Sequence, residues 1–528
     1  MLDTISEKQM HRVRWVLTIC WLLLILLIAY DPISPWLTEP DNLMSPFRKD
    51  PNVCVKLQGV CIQEQPHSIA AQVFWALIVP VGVIILLVFG HELWRRICPL
   101  SFLSQIPRAL GIQRKQKRVN PHTGKVSYVL ARVQKNAWLA RNYLYLQFSL
   151  LYLGICARIL FVNSVGWVLA LFLLGSIGLA ILVGYLYDGK TWCNYFCPMA
   201  PVQKIYGEPR GILTSKAHEH SNKTITQSMC RVIDSDGKEQ SACVACQTPC
   251  IDIDSERTYW DGIDKPDRKL LYYGYIGLVF SFYFYYYLYA GNWDYYFSGA
   301  WTHEENLLGT IFNPGFYIFD TPIPIPKLFA VPLTLGFFTL ASYWLGLKLE
   351  KVYKAYVRKK NKNISPEIIQ HQLFTFCTFF VFNLFFLWGG RPTIRLLPPV
   401  VVYLFNIFVV LASTLWLSLT WVRSRELYSR ESLASRLRKQ LRRLSLDVSQ
   451  YLEGRSLDSL SPNEVYVIAK ILPGFTRAKK MEAYKGVLKE SLEEGYVNSS
   501  SSLEVLKQMR MELEMSDRDH EQILTELG

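Results

Sequence analysis

Charged side chains are almost missing from the long apolar runs of this 528-residue chain, and Arg158, near the outer end of the third run, is the exception. The absence argues against an ion pump or a proton-coupled transporter, whose charged relays sit at membrane depth, and no inverted repeat points to a transporter. Histidines are equally sparse there. His91 closes the second run, His303 lies in an aromatic loop and His371 opens the seventh, so no facing pair stands at mid-depth to ligate a b-type haem. Neither Cys54 nor Cys61, in CVKLQGVC, is followed by histidine, which removes c-type haem attachment. The first run, RWVLTICWLLLILLIAY, leads into DPISPW without a small-residue cleavage site, as expected of a retained anchor. Acidic residues are outnumbered, 43 against 57 Lys and Arg, for a formal net charge of +14. The bases crowd beside apolar runs, where they orient a membrane protein, so lipid and not nucleic acid is the expected contact.

What is present is hydrophobic: 51% of residues, 14% aromatic. Runs of about twenty apolar residues match the hydrocarbon thickness. Eight candidate spans fall near 14–30, 69–90, 143–162, 166–187, 270–290, 328–347, 371–390 and 397–421. RKQKR after the second and KLEKVYKAYVRKKNK after the sixth place those connections on the cytoplasmic side, together with both termini. Arg391 and Arg395, in a short outer turn, run against that rule. The expected fold is an all-α integral membrane protein of about eight transmembrane helices with a ferredoxin-like cytoplasmic loop. Its parts are 1–190 (four spans and the basic loop 91–142), 191–269 (the cysteine loop), 270–425 (four spans) and 426–528, a small cytoplasmic helical domain. In that last part SPNE at 461–464 and SDRD at 516–519 fit capping boxes on Ser461 and Ser516, and GYVNSSSS at 495–502 fits a loop. It contains no catalytic constellation.

Six of the twelve cysteines lie between two spans: Cys193 and Cys197 in WCNYFCP, Cys230, then Cys243, Cys246 and Cys250 in CVACQTPC. Separations of two and three residues let thiolates converge on one soft centre. The sequence offers iron–sulfur ligation, structural zinc on four thiolates, or disulfides and inert core cysteines. A reducing cytoplasmic location, the absence of histidines at zinc spacing and the Cys-Pro pair favour the first.

A CxxxCP motif at the cytoplasmic end of a span, followed by a ferredoxin-like cysteine run and another span, resembles the membrane polyferredoxins. These include accessory proteins of nitrate and nitrous-oxide respiration, NapH and NosR, and of cytochrome oxidase assembly. The family has two CxxxCP motifs. The second is complete here at Cys193, Cys197 and Pro198; the first, WRRICP, keeps Cys98 and Pro99 but has Trp94 in place of the other cysteine. The family's two complete CxxCxxCxxxCP runs are reduced to CVACQTPC and a distant Cys230, and the resemblance covers about 69–290. It implies a [4Fe-4S] cluster on Cys230, Cys243, Cys246 and Cys250, or on a set with Cys197 in place of Cys230. Cys193 and Cys197, joined by Cys98, would form a second site.

The function so implied is electron transfer between a cytoplasmic donor such as ferredoxin, or a membrane quinol, and a partner redox protein, in a prokaryotic inner or internal membrane. The alternative is a membrane assembly factor or scaffold with a structural metal site. No nucleophile, general base or substrate pocket can be named, so an enzyme with its own substrate is not expected. Cys54 and Cys61, on the outer side, are open between a disulfide and free thiols. Cys20, Cys156 and Cys377 read as buried apolar groups, and Arg158 as snorkelling to the interface. The tyrosine-dense run at 272–289 reads as helix packing, with a quinone pocket as the other possibility.

Overall fold

The computed structural model describes residues 5–50, 52–119, 126–134, 136–214, 231–233, 239–241, 244, 246–247, 249–252, 254–304, 306–360, 364–389, 391–444, 452, 455–472, 474–493 and 500–527. The chain divides into two compact units, one built mainly from residues up to Trp421 and one from Val422 onward.

The first unit fits a multi-pass, mainly helical membrane protein. Among the described residues seven helices are long and apolar enough to cross a bilayer: Glu7–Ala29, Ala70–Leu103, Trp138–Val162, Gly166–Leu186, Lys327–Lys360, Pro366–Trp388 and Pro399–Trp421. The fifth expected span forms as helix from Pro266 to Ala290, through a π-helical turn at Leu270–Gly274, but is not among the seven. Its tyrosines supply hydroxyls where the other spans have methyl groups. Those hydroxyls are used inside the bundle: Tyr285 donates to the Gly315 carbonyl at 2.9 Å, Tyr273 to Glu350 at 3.0 Å, and Tyr286 accepts from Asn163 at 2.7 Å. The run is a packing element, since a buried tyrosine hydroxyl needs a partner.

Among the described residues sheet is confined to four separate two-stranded antiparallel hairpins, which the all-helical expectation did not include. One, Lys115–Val119 with Val126–Leu130, lies in the basic 91–142 connection. Another pairs Cys54–Leu57 with Val60–Gln63 and is closed by a Cys54–Cys61 disulfide, with Cα atoms 5.5 Å apart. Its turn residue Gln58 gives its backbone N–H to the Ala290 carbonyl at 3.0 Å, which ties the hairpin to the end of the tyrosine helix.

Arg158 does not snorkel. Its guanidinium lies over Trp75 at 3.9 Å and Phe282 at 4.6 Å, and its Nε donates to Asn163 at 3.0 Å. A cation on aromatic faces is stabilised without reaching water. His371 is likewise a satisfied core residue, between the Tyr259 hydroxyl at 2.9 Å and the Thr420 carbonyl at 2.8 Å. Cys156 and Cys377 are buried, but Cys20 is exposed on the first helix.

The second unit is helical. Arg425–Arg443 buries Leu433, Leu437 and Leu441, a stripe at helical spacing, and Pro462–Ile471, Arg477–Glu493, Ser500–Glu512 and Asp517–Leu527 follow. Both expected capping boxes form. Ser461 and Glu464 exchange hydrogen bonds at 2.7 and 3.3 Å, and Ser516 and Asp519 at 2.9 and 3.2 Å. Of the expected 495–502 loop, residues 500–502 are helix instead, and 495–499 lie outside the described residues.

Candidate thiol centre

Two corners of the chain carry a cysteine followed by proline, and their backbones match: Cys98 has φ −61° and ψ 118°, Cys197 φ −60° and ψ 119°. Proline disfavours helix at the residue before it and pre-sets the first turn of the next. Each cysteine therefore ends one helical segment and faces the start of another. Val79–Ile97 gives way to Pro99–Leu103, and the π-helical turn Trp192–Phe196 to Ala200–Gly207. Backbone N–H groups of Leu100 and Ser101 are directed at the Cys98 sulfur, and that of Met199 at the Cys197 sulfur.

The WCNYFCP segment is not a solvated loop. All eight residues of Ala200–Gly207 are buried, the Ile205 carbonyl accepts from Thr378 at 3.0 Å, and the Arg210 carbonyl accepts from Trp416 at 2.8 Å. Irregular backbone is tolerated beside a bundle when protein groups satisfy it. Gly90, at φ +65°, breaks the second span just before His91, and its backbone passes against that of Gly211.

The corners meet. Cys193 and Cys197 are each 5% exposed, and Cys98 and Cys193 are close enough to act electrostatically on Cys197. Burial, and then those two neighbours, push the Cys197 thiol up to about 12, against the pull of Arg95. Cys246 joins from the downstream loop. Asn194 donates to its sulfur at 3.4 Å and the Tyr195 hydroxyl to its carbonyl at 3.3 Å. Cys250 is half-buried and within electrostatic reach of Arg95.

A charged layer lies against these thiols. Arg95, 3% exposed, donates from Nε to Gln203 at 3.1 Å and from Nη2 to the Cys193 carbonyl at 3.2 Å and Asn194 Oδ1 at 3.4 Å. Asp252 is surrounded by His91 at 3.4 Å and by Arg95 and Lys190 at 3.6 Å each. Burial alone would raise its pKa; Arg95, Lys190 and His91 outweigh that and hold the carboxyl far below the usual range. None of Arg95, Asp252, Lys190 or Asn194 stood out in the sequence. The available signal was an arginine too close to an apolar run to remain unpaired, and an aspartate two residues past Cys250.

Of the expected ligands, Cys230 and Cys243 lie outside the described residues. Cys193, Cys197 and Cys98 lie within electrostatic reach of one another at the two corners, with Cys246 against Asn194. Among the described residues no three His, Cys, Asp or Glu side chains are placed to hold one metal ion. Buried thiols, N–H groups aimed at sulfur and a guanidinium nitrogen, Arg95 Nη1, that is buried without an acceptor among the described residues are groups that suit a thiolate-ligated centre.

Gly189 shapes this contact. It has φ +73°, and a Cβ there would stand 2.6 Å from Cys246 Cβ and 2.9 Å from Val244 Cγ2. Gly189→Ala is expected to displace the Cys246 segment, with about 1–3 kcal/mol from overpacking and left-handed strain. Maleimide labelling of Cys246 in solubilised protein should accelerate; an unchanged rate contradicts the contact. No family model, curated protein or solved structure matches the chain.

Proposed function

We propose that this membrane protein holds an iron–sulfur centre on its clustered thiols and passes single electrons between a donor, reduced ferredoxin or a membrane quinol, and a partner redox protein. The observation that carries the reading is the meeting of two equivalent Cys-Pro corners around one buried arginine. Cys193 and Cys197, with Cys98, would supply ligands from the corners; Cys246 and Cys250, with Cys230 and Cys243, would supply them from the loop. A bound [4Fe-4S] cluster would provide the one-electron carrier. The chain's own part is to bury sulfur away from water, direct N–H groups at it and balance its charge. The Lys and Arg excess beside the corners favours the cytoplasmic face of a prokaryotic inner or internal membrane, with both termini there.

Anaerobic purification with iron, sulfide and zinc analysis and electron paramagnetic resonance tests the reading. The expected result is iron and labile sulfide in equal amounts, at least halved in Cys246→Ser and in Cys197→Ser. Zinc without sulfide would replace the electron carrier by the scaffold with a structural metal, and thiols free of metal would remove both.

A further inference from the structure

We propose that Arg95 is the positioning residue that balances the charge of the thiol centre and sets how readily it is reduced. This rests on the iron–sulfur reading and adds which residue of this chain tunes it. Arg95 stands three residues before Cys98, at the end of a membrane span and almost without solvent. An arginine buried there is costly unless anions and hydrogen-bond acceptors surround it. Nε and Nη2 have acceptors in Gln203, Asn194 and the Cys193 carbonyl. Nη1 is buried with no hydrogen-bond partner among the described residues. The anionic or thiol groups that act on it most are Asp252, then Cys193, Cys197 and Cys250; it acts in turn on Cys98, and the basic groups His91 and Lys204 also lie within its electrostatic reach.

Asn194 carries the coupling further. Its Oδ1 accepts from Arg95 Nη2 at 3.4 Å while its Nδ2 donates to Cys246 Sγ at 3.4 Å, so one amide links the guanidinium to the downstream thiols. A thiolate-ligated iron–sulfur centre is anionic and gains one further negative charge when it takes up an electron. A fixed buried cation favours the more negative form, and an N–H donated to sulfur acts in the same direction. Asp252, 3.6 Å from Arg95 Nε, opposes it. The two side chains therefore predict shifts of opposite sign, whereas damage from loosened packing has no reason to follow charge.

The test is an anaerobic redox titration, followed by electron paramagnetic resonance, of the full-length protein and of Arg95→Met, Arg95→Lys and Asp252→Asn. Arg95→Met should make reduction about tenfold less favourable, ~59 mV for one electron. Arg95→Lys, which keeps the charge, should recover most of that shift, and Asp252→Asn should move the potential upward. An unmoved potential in Arg95→Met with its iron retained overturns the proposal, as does a shift of the same sign in Arg95→Met and Asp252→Asn. Should Arg95→Met fail to retain iron, Asp252→Asn decides, and a potential that does not rise overturns the assignment. Wild-type protein without iron and sulfide would instead remove the function, and this inference with it.

Discussion

Arg268→Leu is expected to destabilise the membrane unit by about 3–5 kcal/mol, the usual penalty for stripping one partner from a buried ion pair. The carboxylate left behind would be Glu208, 1% exposed. Arg268 Nη1 donates to Glu208 Oε2 and Nη2 to the Thr258 carbonyl at 3.0 Å. Lys204 Nζ approaches Glu208 Oε1 from the other side at 3.5 Å. Burial alone would raise the Glu208 pKa, and Arg268 and Lys204 outweigh it, so the folded state keeps a charged carboxylate. Lys204 is itself lowered to about 8 by burial, with Glu208 opposing, which makes it the weaker of the two counter-charges. Glu208→Gln alone leaves Arg268 buried with a poorer acceptor and should also destabilise. Combined with Arg268→Leu it removes the carboxylate that would otherwise be left with Lys204 alone, so the double variant should lose less than the sum of the singles, by more than about 1 kcal/mol. Thermal or denaturant midpoints in detergent give that cycle; additive losses would show that Glu208 and Arg268 do not hold each other.

Why this pair was hidden and the spans were not follows from the kind of signal each leaves. Apolar runs report burial against lipid directly, so six of the eight expected spans have structural counterparts offset only at their ends. The second and sixth run further, because Arg95, Arg96 and Glu350 are polar groups that the bundle satisfies internally. Glu350, for example, binds Lys269 at 2.7 Å and Lys354 at 2.6 Å, and hydropathy counts it as an end. Capping boxes were legible because Ser461 with Glu464 and Ser516 with Asp519 depend on residues three apart. The hairpins were not legible: Lys115–Val119 and Val126–Leu130, for example, are polar enough to read as a basic loop, and their pairing is tied to the bundle at Arg114 and Ala131 by backbone hydrogen bonds to Tyr185 and Asp188 that no local pattern announces. The two Cys-Pro corners were visible as a motif, but their convergence on Arg95 and Asp252 joins residues 98 to 157 positions apart, which no local pattern encodes.

The segment that precedes the second span should open as the pH falls below about 6.5, and His67 is the main reason. His67 and His303 stack with centroids 3.4 Å apart and planes at 10°, His303 Nε2 donates to Glu64 at 3.2 Å, and Lys49 pairs with Glu64 at 2.6 Å. Burial, and then the neighbouring His303, lower the His67 pKa to about 3 from an ordinary value near 6.5. Below 6.5 the unfolded segment takes up a proton that the folded one refuses, so stability falls steadily from 6.5 toward 3. Each pH unit in that window is worth about 1.4 kcal/mol. Glu64 adds a second loss lower down. Burial would raise it, but the His303 hydrogen bond and the Lys49 ammonium hold it at about 2, so its contribution is present above 4.5 and lost between 4.5 and 2. Hydrogen exchange of residues 52–69, measured between pH 7 and 4.5 after correction for the intrinsic rate, should show protection falling as the solution is acidified. His67→Gln, which cannot be protonated, should remove the larger part of that fall and leave the part due to His303, which burial also holds below its ordinary value, and Glu64→Gln should leave the fall above pH 4.5 in place. Protection in the wild type that is constant from pH 7 to 4.5 would mean that the stacked imidazoles take up protons as easily folded as unfolded.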